Sequence, residues 1–197
     1  ALRAAARYIG EAWRGQGLAV REETYTVGGQ LVSNVVAEQP GTDPGAGILL
    51  VGAHYDTAPG TPGANDNASG VAVLLELSAA LARTPRTRTL RYVAFVNEEM
   101  PYFSSDDMGS RLHARGSRRR GELIRGMLSL ETLGYYSGAA GSQAYPFPFK
   151  RFYPAAGNFL AVVGNVRSRG LVRDFLRRFM AASDFPVEGV AALESVP

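Results

Sequence analysis

Six residues of this chain have types and spacings suited to hydrolytic metal chemistry: His54, Asp56, Asp66, Glu98, Glu99 and Glu131. His54 and Asp56 lie two apart in Gly52-Ala53-His54-Tyr55-Asp56-Thr57, so on an extended strand end both side chains share a face. A metal-bound imidazole usually gives its other N–H to a carboxylate, which fixes the tautomer and the ring orientation. Asp56 is placed to be that partner and His54 to be the ligand. Asp66 follows in Pro62-Gly63-Ala64-Asn65-Asp66-Asn67-Ala68-Ser69-Gly70, a loop able to fold back to the same spot. Glu98 and Glu99 are adjacent, and neighbouring side chains on a strand exit point in different directions. One can bind metal while the other stays free as a base. With no cysteine in the chain, a metal site must use His and carboxylates, a set that suits zinc, with manganese or cobalt as substitutes.

These residues need strands to carry them. The apolar run 47–51 reads as a buried strand, 90–96 and 127–130 read as two further hydrophobic strands, and each is followed by acids or by the His-x-Asp pair. Open α/β sheets bind ligands at the carboxyl ends of their strands. A lone His-x-Asp at a strand end is commonly just a polar pair at a loop mouth. Three strand exits that all deliver ligands are a more specific signal.

The motifs G-A-H-Y-D-T, P-G-A-N-D-N-A-S-G, N-E-E and L-E-T-L-G-Y-Y, in this order and at these separations, resemble the co-catalytic zinc aminopeptidases of clan MH. The likeness is to the bacterial leucyl-aminopeptidase type, whose fold is shared by glutaminyl cyclases and the transferrin-receptor ectodomain. It is strong over residues 30–137 and weak elsewhere. It implies a zinc-dependent aminopeptidase acting on peptides with a free N-terminus. It also implies His54 and Glu131 on one zinc, Glu99 on the other, Asp66 bridging both, Glu98 as general base and Asp56 supporting His54. The family holds the peptide bond corresponding to Asp66–Asn67 cis. Two zinc ions would occupy the complete site. Two alternatives stand beside this: a single-zinc glutaminyl-cyclase-like acyltransferase, and a non-catalytic binding module on the same fold. Secretion or a periplasmic location is compatible with the resemblance.

The chain departs from the family pattern in one respect. The second zinc normally takes a late His, whereas this chain holds only His54 and His113. His113 falls in a segment that reads as a surface helix, and residues 194–197 close the chain before any Ser-Asp-His motif. A truncated C-terminus and an incomplete second zinc site are therefore expected.

Composition narrows the rest. A chain of 197 residues is long enough for one domain with a sizeable core, and a single catalytic domain over residues 1–197 is expected. No stretch is long and apolar enough to span a membrane. The formal charge is +3. The basic run Arg115, Arg118, Arg119 and Arg120 lacks the interleaved aromatics of a base-stacking platform, so no nucleic-acid partner is expected.

In order, the periodicities predict a helix over 2–14, a hairpin of strands 20–27 and 31–37 about Gly28-Gly29, and the strand before His54. A helix over 68–81 follows, with Val71, Leu74, Leu75, Leu77 and Leu81 inward and Asn67 as N-cap. After the strand leading to Glu98, a helix starts at Asp106, and a strand over 125–130 leads to Glu131. Residues 135–154 are irregular and aromatic, forming either a substrate wall or a surface loop. A strand at 158–163, a helix at 168–182 and an apolar run at 187–193 complete the chain. The expected architecture is a three-layer α/β sandwich, a mostly parallel mixed sheet with helices on both faces.

Overall fold

The computed structural model describes residues 1–145 and 149–192. The chain forms two compact units, the first spanning Ala1–Gly134 and the second beginning at Tyr135.

In the first unit, helix α1 (Leu2–Gly15) leads into a hairpin of β1 (Ala19–Val27) and β2 (Gln30–Gln39). Strand β3 (Ile48–His54), helix α2 (Gly70–Leu81), strand β4 (Thr89–Phe95), helix α3 (Gly109–Arg119) and strand β5 (Ile124–Ser129) follow. The strands form one mixed sheet in the order β1-β2-β4-β3-β5. The β1–β2 and β2–β4 pairs are antiparallel, while β3 pairs parallel with both β4 and β5. The parallel triplet matters for the site, because His54, Glu98 and Glu131 all leave the sheet at its carboxyl edge.

Strand alternation divides the core between two faces. On one face Val35, Ala37, Val51, Ala53, Leu90, Tyr92 and Ala94 meet Ile9 and Trp13 of α1 and Val71 and Leu74 of α2. Trp13 is fully buried and donates its Nε1–H to Ser78 Oγ at 3.0 Å, so the indole is packed and satisfied together. Of the residues expected inward on α2, Leu75, Leu77 and Leu81 pack only partly buried against this core. On the other face lie Val36, Leu50, Val93 and Phe95, and α3 covers part of it, its His113 ring edge-on to Phe95 at 5.9 Å. Helices on both faces of a mixed sheet make a three-layer α/β sandwich.

The α3 face corrects one expectation. His113 is not a surface residue; it is 3 % exposed, with Nδ1 2.7 Å from Glu23 Oε2. The buried stripe of α3 is Gly109, His113 and Ser117, small or polar at i, i+4 and i+8. It lies over a sheet face where apolar Leu50 and Phe95 are joined by Arg91, which is held by Glu38 at 2.7 Å and by Glu122 at 2.6 Å. Amphipathic reasoning assumes an apolar core and so turns such a stripe outward. Buried charges persist here because each is paired. The helix also starts at Gly109 rather than Asp106. Asp106 stands before it, its carboxylate 2.6 Å from Arg115.

In the second unit, β6 (Leu160–Asn165) and β7 (Val187–Ala192) pair parallel, connected through α4 (Arg169–Ala182). In the aromatic segment before them, Tyr145 and Tyr153 pack at 5.7 Å and the Tyr145 hydroxyl donates to the Pro154 carbonyl at 2.8 Å. Tyr135 and Tyr136 are exposed. Phe147, the side chain of Phe149, and residues 193–197 lie outside the described residues. No helix among the described residues is long and apolar enough to cross a membrane.

Candidate metal centre

His54 ends β3 and is 4 % exposed. Its Nδ1 lies 3.2 Å from the Asp56 carbonyl oxygen and 3.5 Å from Asp56 Oδ1. A proton on Nδ1 is therefore well accommodated, which leaves the Nε2 lone pair as the free donor. Nε2 faces three carboxylates: Asp66 Oδ1 at 3.0 Å, Glu131 Oε2 at 3.3 Å and Glu98 Oε2 at 3.8 Å. Glu99 completes the group, since one ligand atom each from His54, Asp66 and Glu99 lie within 4.8 Å of one another. All six residues singled out in the sequence thus meet at the carboxyl edge of β3, β4 and β5.

The backbone delivers them through hydrogen bonds that prolong the sheet beyond its strands. Tyr55 N–H donates to the Phe95 carbonyl at 2.9 Å, and Leu130 N–H to the Gly52 carbonyl at 2.8 Å. Glu131 therefore emerges beside His54. Asp56 does more than the sequence suggested: its two carboxylate oxygens accept the N–H groups of Glu98 (3.2 Å) and Glu99 (3.1 Å). One carboxylate thereby orients the imidazole and anchors the acid turn. Glu99 is held in addition by the Ala58 N–H, at 3.0 Å from Oε1.

The Asp66 loop enters through Gly63 at φ 65°, the left-handed region that favours glycine. The Asp66–Asn67 peptide is cis, and so is Met100–Pro101. Asn67 is 1 % exposed and makes four bonds. Its Oδ1 accepts from Gly70 N–H (3.1 Å) and Thr132 N–H (3.2 Å). Its Nδ2 donates to the Leu130 carbonyl (2.9 Å) and Glu131 Oε2 (3.2 Å). The N-cap expected at Asn67 falls instead at Ser69, since α2 begins at Gly70, although Asn67 Oδ1 accepts the first N–H of that helix. The bracing of Glu131 was missed, since an Asn in a Gly-rich loop gives no sign of a partner sixty-odd residues on. A Cβ at Gly70 would run into the Leu130 carbonyl and the Asn67 side chain, so only glycine lets α2 start this close to the end of β5.

The electrostatics are those of crowded anions. Burial draws the His54 pKa down, but the Asp56 bond and the charges of Glu131, Glu98 and Asp56 outweigh it and push it up to about 9. Burial, with the nearby carboxylates, raises Glu98 and Glu131 above the usual carboxylate range despite His54. Asp56 is also buried, yet its bonds to His54 and to the Glu99 and Glu98 N–H groups hold it low. Among the described residues no Arg or Lys pairs with Asp66, Glu98, Glu99 or Glu131. One buried imidazole and four close carboxylates are a donor set that fits a divalent cation, and its nitrogen–oxygen composition suits zinc.

Residues 34–157 match the sequence profile of peptidase family M28. The chain belongs to peptidase family M28. It is 38 % identical over 195 residues to the uncharacterized protein YfbL of Escherichia coli K12, covering 94 % of this chain and 59 % of YfbL. It is 39 % identical over 72 residues to aminopeptidase YwaD of Bacillus subtilis, covering 36 % of this chain and 16 % of YwaD. Among solved structures, Legionella pneumophila LapA aminopeptidase superposes with a TM-score of 0.69 at 16 % identity, over 97 % of this chain and 48 % of LapA. Porphyromonas gingivalis glutaminyl cyclase gives a TM-score of 0.69 at 21 % identity, over 97 % of this chain and 68 % of the cyclase. At these identities the superpositions establish the shared M28-type fold. The chain spans about three-fifths of YfbL and about half of LapA.

Proposed function

We propose that this M28 chain carries the core of a zinc-dependent aminopeptidase that hydrolyses the first peptide bond of substrates with a free N-terminus. The observation that carries this is the orientation of His54, with Nδ1 turned to Asp56 and Nε2 facing Asp66, Glu131 and Glu98 within 3.0–3.8 Å. His54, Asp66 and Glu131 would hold one zinc, and Asp66 with Glu99 would contribute to a second. A zinc held there supplies Lewis-acid polarisation and stabilises developing negative charge.

The protein's own groups do the rest. Asp56 keeps the His54 proton on Nδ1. Glu98 is not needed as a ligand. Its carboxyl, raised by burial and by neighbouring acids, suits a group that takes a proton from the attacking water at Oε2 and passes it to the leaving amine. Asn67 holds the Glu131 carboxylate in place. The acidic site also favours a substrate presenting a protonated α-amino group.

The test is hydrolysis of aminoacyl-anilides by the chain with added zinc, beside the same compounds with an acetylated N-terminus and beside a chelator-treated sample. Release from the free amines alone, abolished by the chelator, is the expected result. Equal release from the acetylated compounds would exclude an exopeptidase. Cyclisation of an N-terminal glutaminyl peptide without hydrolysis would favour the acyltransferase instead.

A further inference from the structure

We propose that Asn34 is a positioning residue for the Glu98–Glu99 pair, acting through the backbone of Val96. This rests on the reading that the pair serves the metal centre. Asn34 lies on β2, is fully buried and is remote in sequence from every ligand. The β2–β4 ladder has its last pair at Val35 and Ala94. Beyond that pair the Asn34 side chain takes over from the backbone. Its Oδ1 accepts the Val96 N–H at 3.1 Å, and its Nδ2 donates to the Gly109 carbonyl at 2.9 Å. Gly109 N–H in turn donates to the Val96 carbonyl at 2.9 Å. Both polar groups of Val96 are thereby fixed from the side of β2 and α3. A Cβ on Gly109 would meet the Asn34 side chain and the Val96 backbone, so the start of α3 sits directly on this knot.

The next residue, Asn97, turns through φ 59°. A left-handed non-glycine residue is maintained only where its surroundings over-determine it. Immediately after it, Glu98 and Glu99 give their N–H groups to Asp56. The acid turn is therefore clamped twice, by Asn34 before the bend and by Asp56 after it. The Asn34 position needs an acceptor and a donor at once, and it is fully buried. Alanine supplies neither and aspartate supplies only the acceptor.

The experiment compares Asn34→Ala, Asn34→Asp and Ser78→Ala with the wild-type chain. Ser78 is equally buried and hydrogen-bonded, but lies beneath Trp13 on the opposite face of the sheet. Two quantities are read well below the melting temperature: zinc affinity by chelator competition, and hydrogen exchange of the Glu98 and Glu99 amides relative to Val51 and Tyr92. In Asn34→Ala the Glu98 and Glu99 amides are expected to exchange at least about tenfold faster, although their acceptor, Asp56, is untouched. Zinc affinity falls by about tenfold or more. In Ser78→Ala both stay within about twofold, whatever the loss of melting temperature. Asn34→Asp keeps the acceptor for Val96 N–H but sets a carboxylate oxygen against the Gly109 carbonyl and Glu23 Oε2, so its Glu98 and Glu99 amides are expected to exchange more than about twofold faster than wild type while Val51 and Tyr92 do not; this variant decides the question if Asn34→Ala does not fold. Wild-type exchange and affinity in Asn34→Ala overturn the proposal; if Asn34→Ala does not fold, Glu98 and Glu99 exchange in Asn34→Asp within about twofold of wild type, as in Ser78→Ala, overturns it. If the wild-type chain takes no zinc, the metal reading fails, and the exchange measurement alone decides the role of Asn34.

Discussion

Asn67 Nδ2 stands 3.2 Å from Glu131 Oε2, so a residue beside one proposed ligand grips the carboxylate of another from a strand exit far along the chain. Asn67→Ala removes this grip, the cap on Gly70 and the bond to Thr132, which bends through φ 46°. Leaving these buried groups unpaired costs about 1–3 kcal/mol. Denaturant unfolding is expected to show that loss, and zinc titration a weaker affinity. An unchanged affinity would mean that Glu131 is oriented by other contacts.

Glu98→Gln is expected to retain zinc and lose turnover by about a hundredfold or more, since Gln cannot accept the proton. Glu99→Gln should instead weaken metal binding. Metal analysis together with anilide hydrolysis reads both, and the reverse pattern would show that the two roles are swapped.

The chain is expected to retain about one tightly bound zinc after dialysis. The chain has only two imidazoles, and His113 is committed to Glu23 beneath α3. A second ion would have Asp66 and Glu99 and no histidine, too few protein ligands for tight binding. His113→Ala should leave the count unchanged. Two ions per chain would point to a ligand supplied by another molecule.

Glu23 gives a pH dependence remote from the metal centre. Burial tends to raise its pKa, but the bonds from His113 and Arg21 prevail and lower it from 4.5 to about 2. A depressed carboxyl stabilises the fold above its unfolded pKa, and that stabilisation is lost as pH falls from about 4.5 through about 2. The pair is worth up to about 3 kcal/mol by this linkage. Unfolding free energies measured from pH 6 to pH 3 should therefore converge between wild type and Glu23→Gln. Parallel curves would show that Glu23 titrates normally.

Much of this arrangement was legible because its signals are local. The strands before His54 and Glu98 are largely apolar and buried, the strand before Glu131 is a half-exposed margin strand, and an acid at each exit marks one sheet edge. What escaped depends on distant partners. The His113 stripe of α3 was turned outward because pattern reasoning has no means of seeing that Arg91 of β4 and Glu23 of β1 give Ser117 and His113 polar partners beneath the helix. Asn67 and Asp56 carry two roles each, and spacing reveals only the nearer one. Asn34 reads as an ordinary strand residue, because its partners come from β4 and α3.

The hairpin has a consequence for the molecule's behaviour in concentrated solution. Strand β1 lies at one margin of the five-stranded sheet, where unpaired backbone groups invite another chain to add on. The first half of β1 carries Arg21, Glu22 and Glu23 in succession, with Arg21 and Glu22 exposed. A second copy pairing antiparallel about Glu22 would set each Glu22 against its own counterpart, carboxylate facing carboxylate, at a cost in that pair. The strand that supplies Glu23 to His113 thus also disfavours self-polymerisation along its open margin.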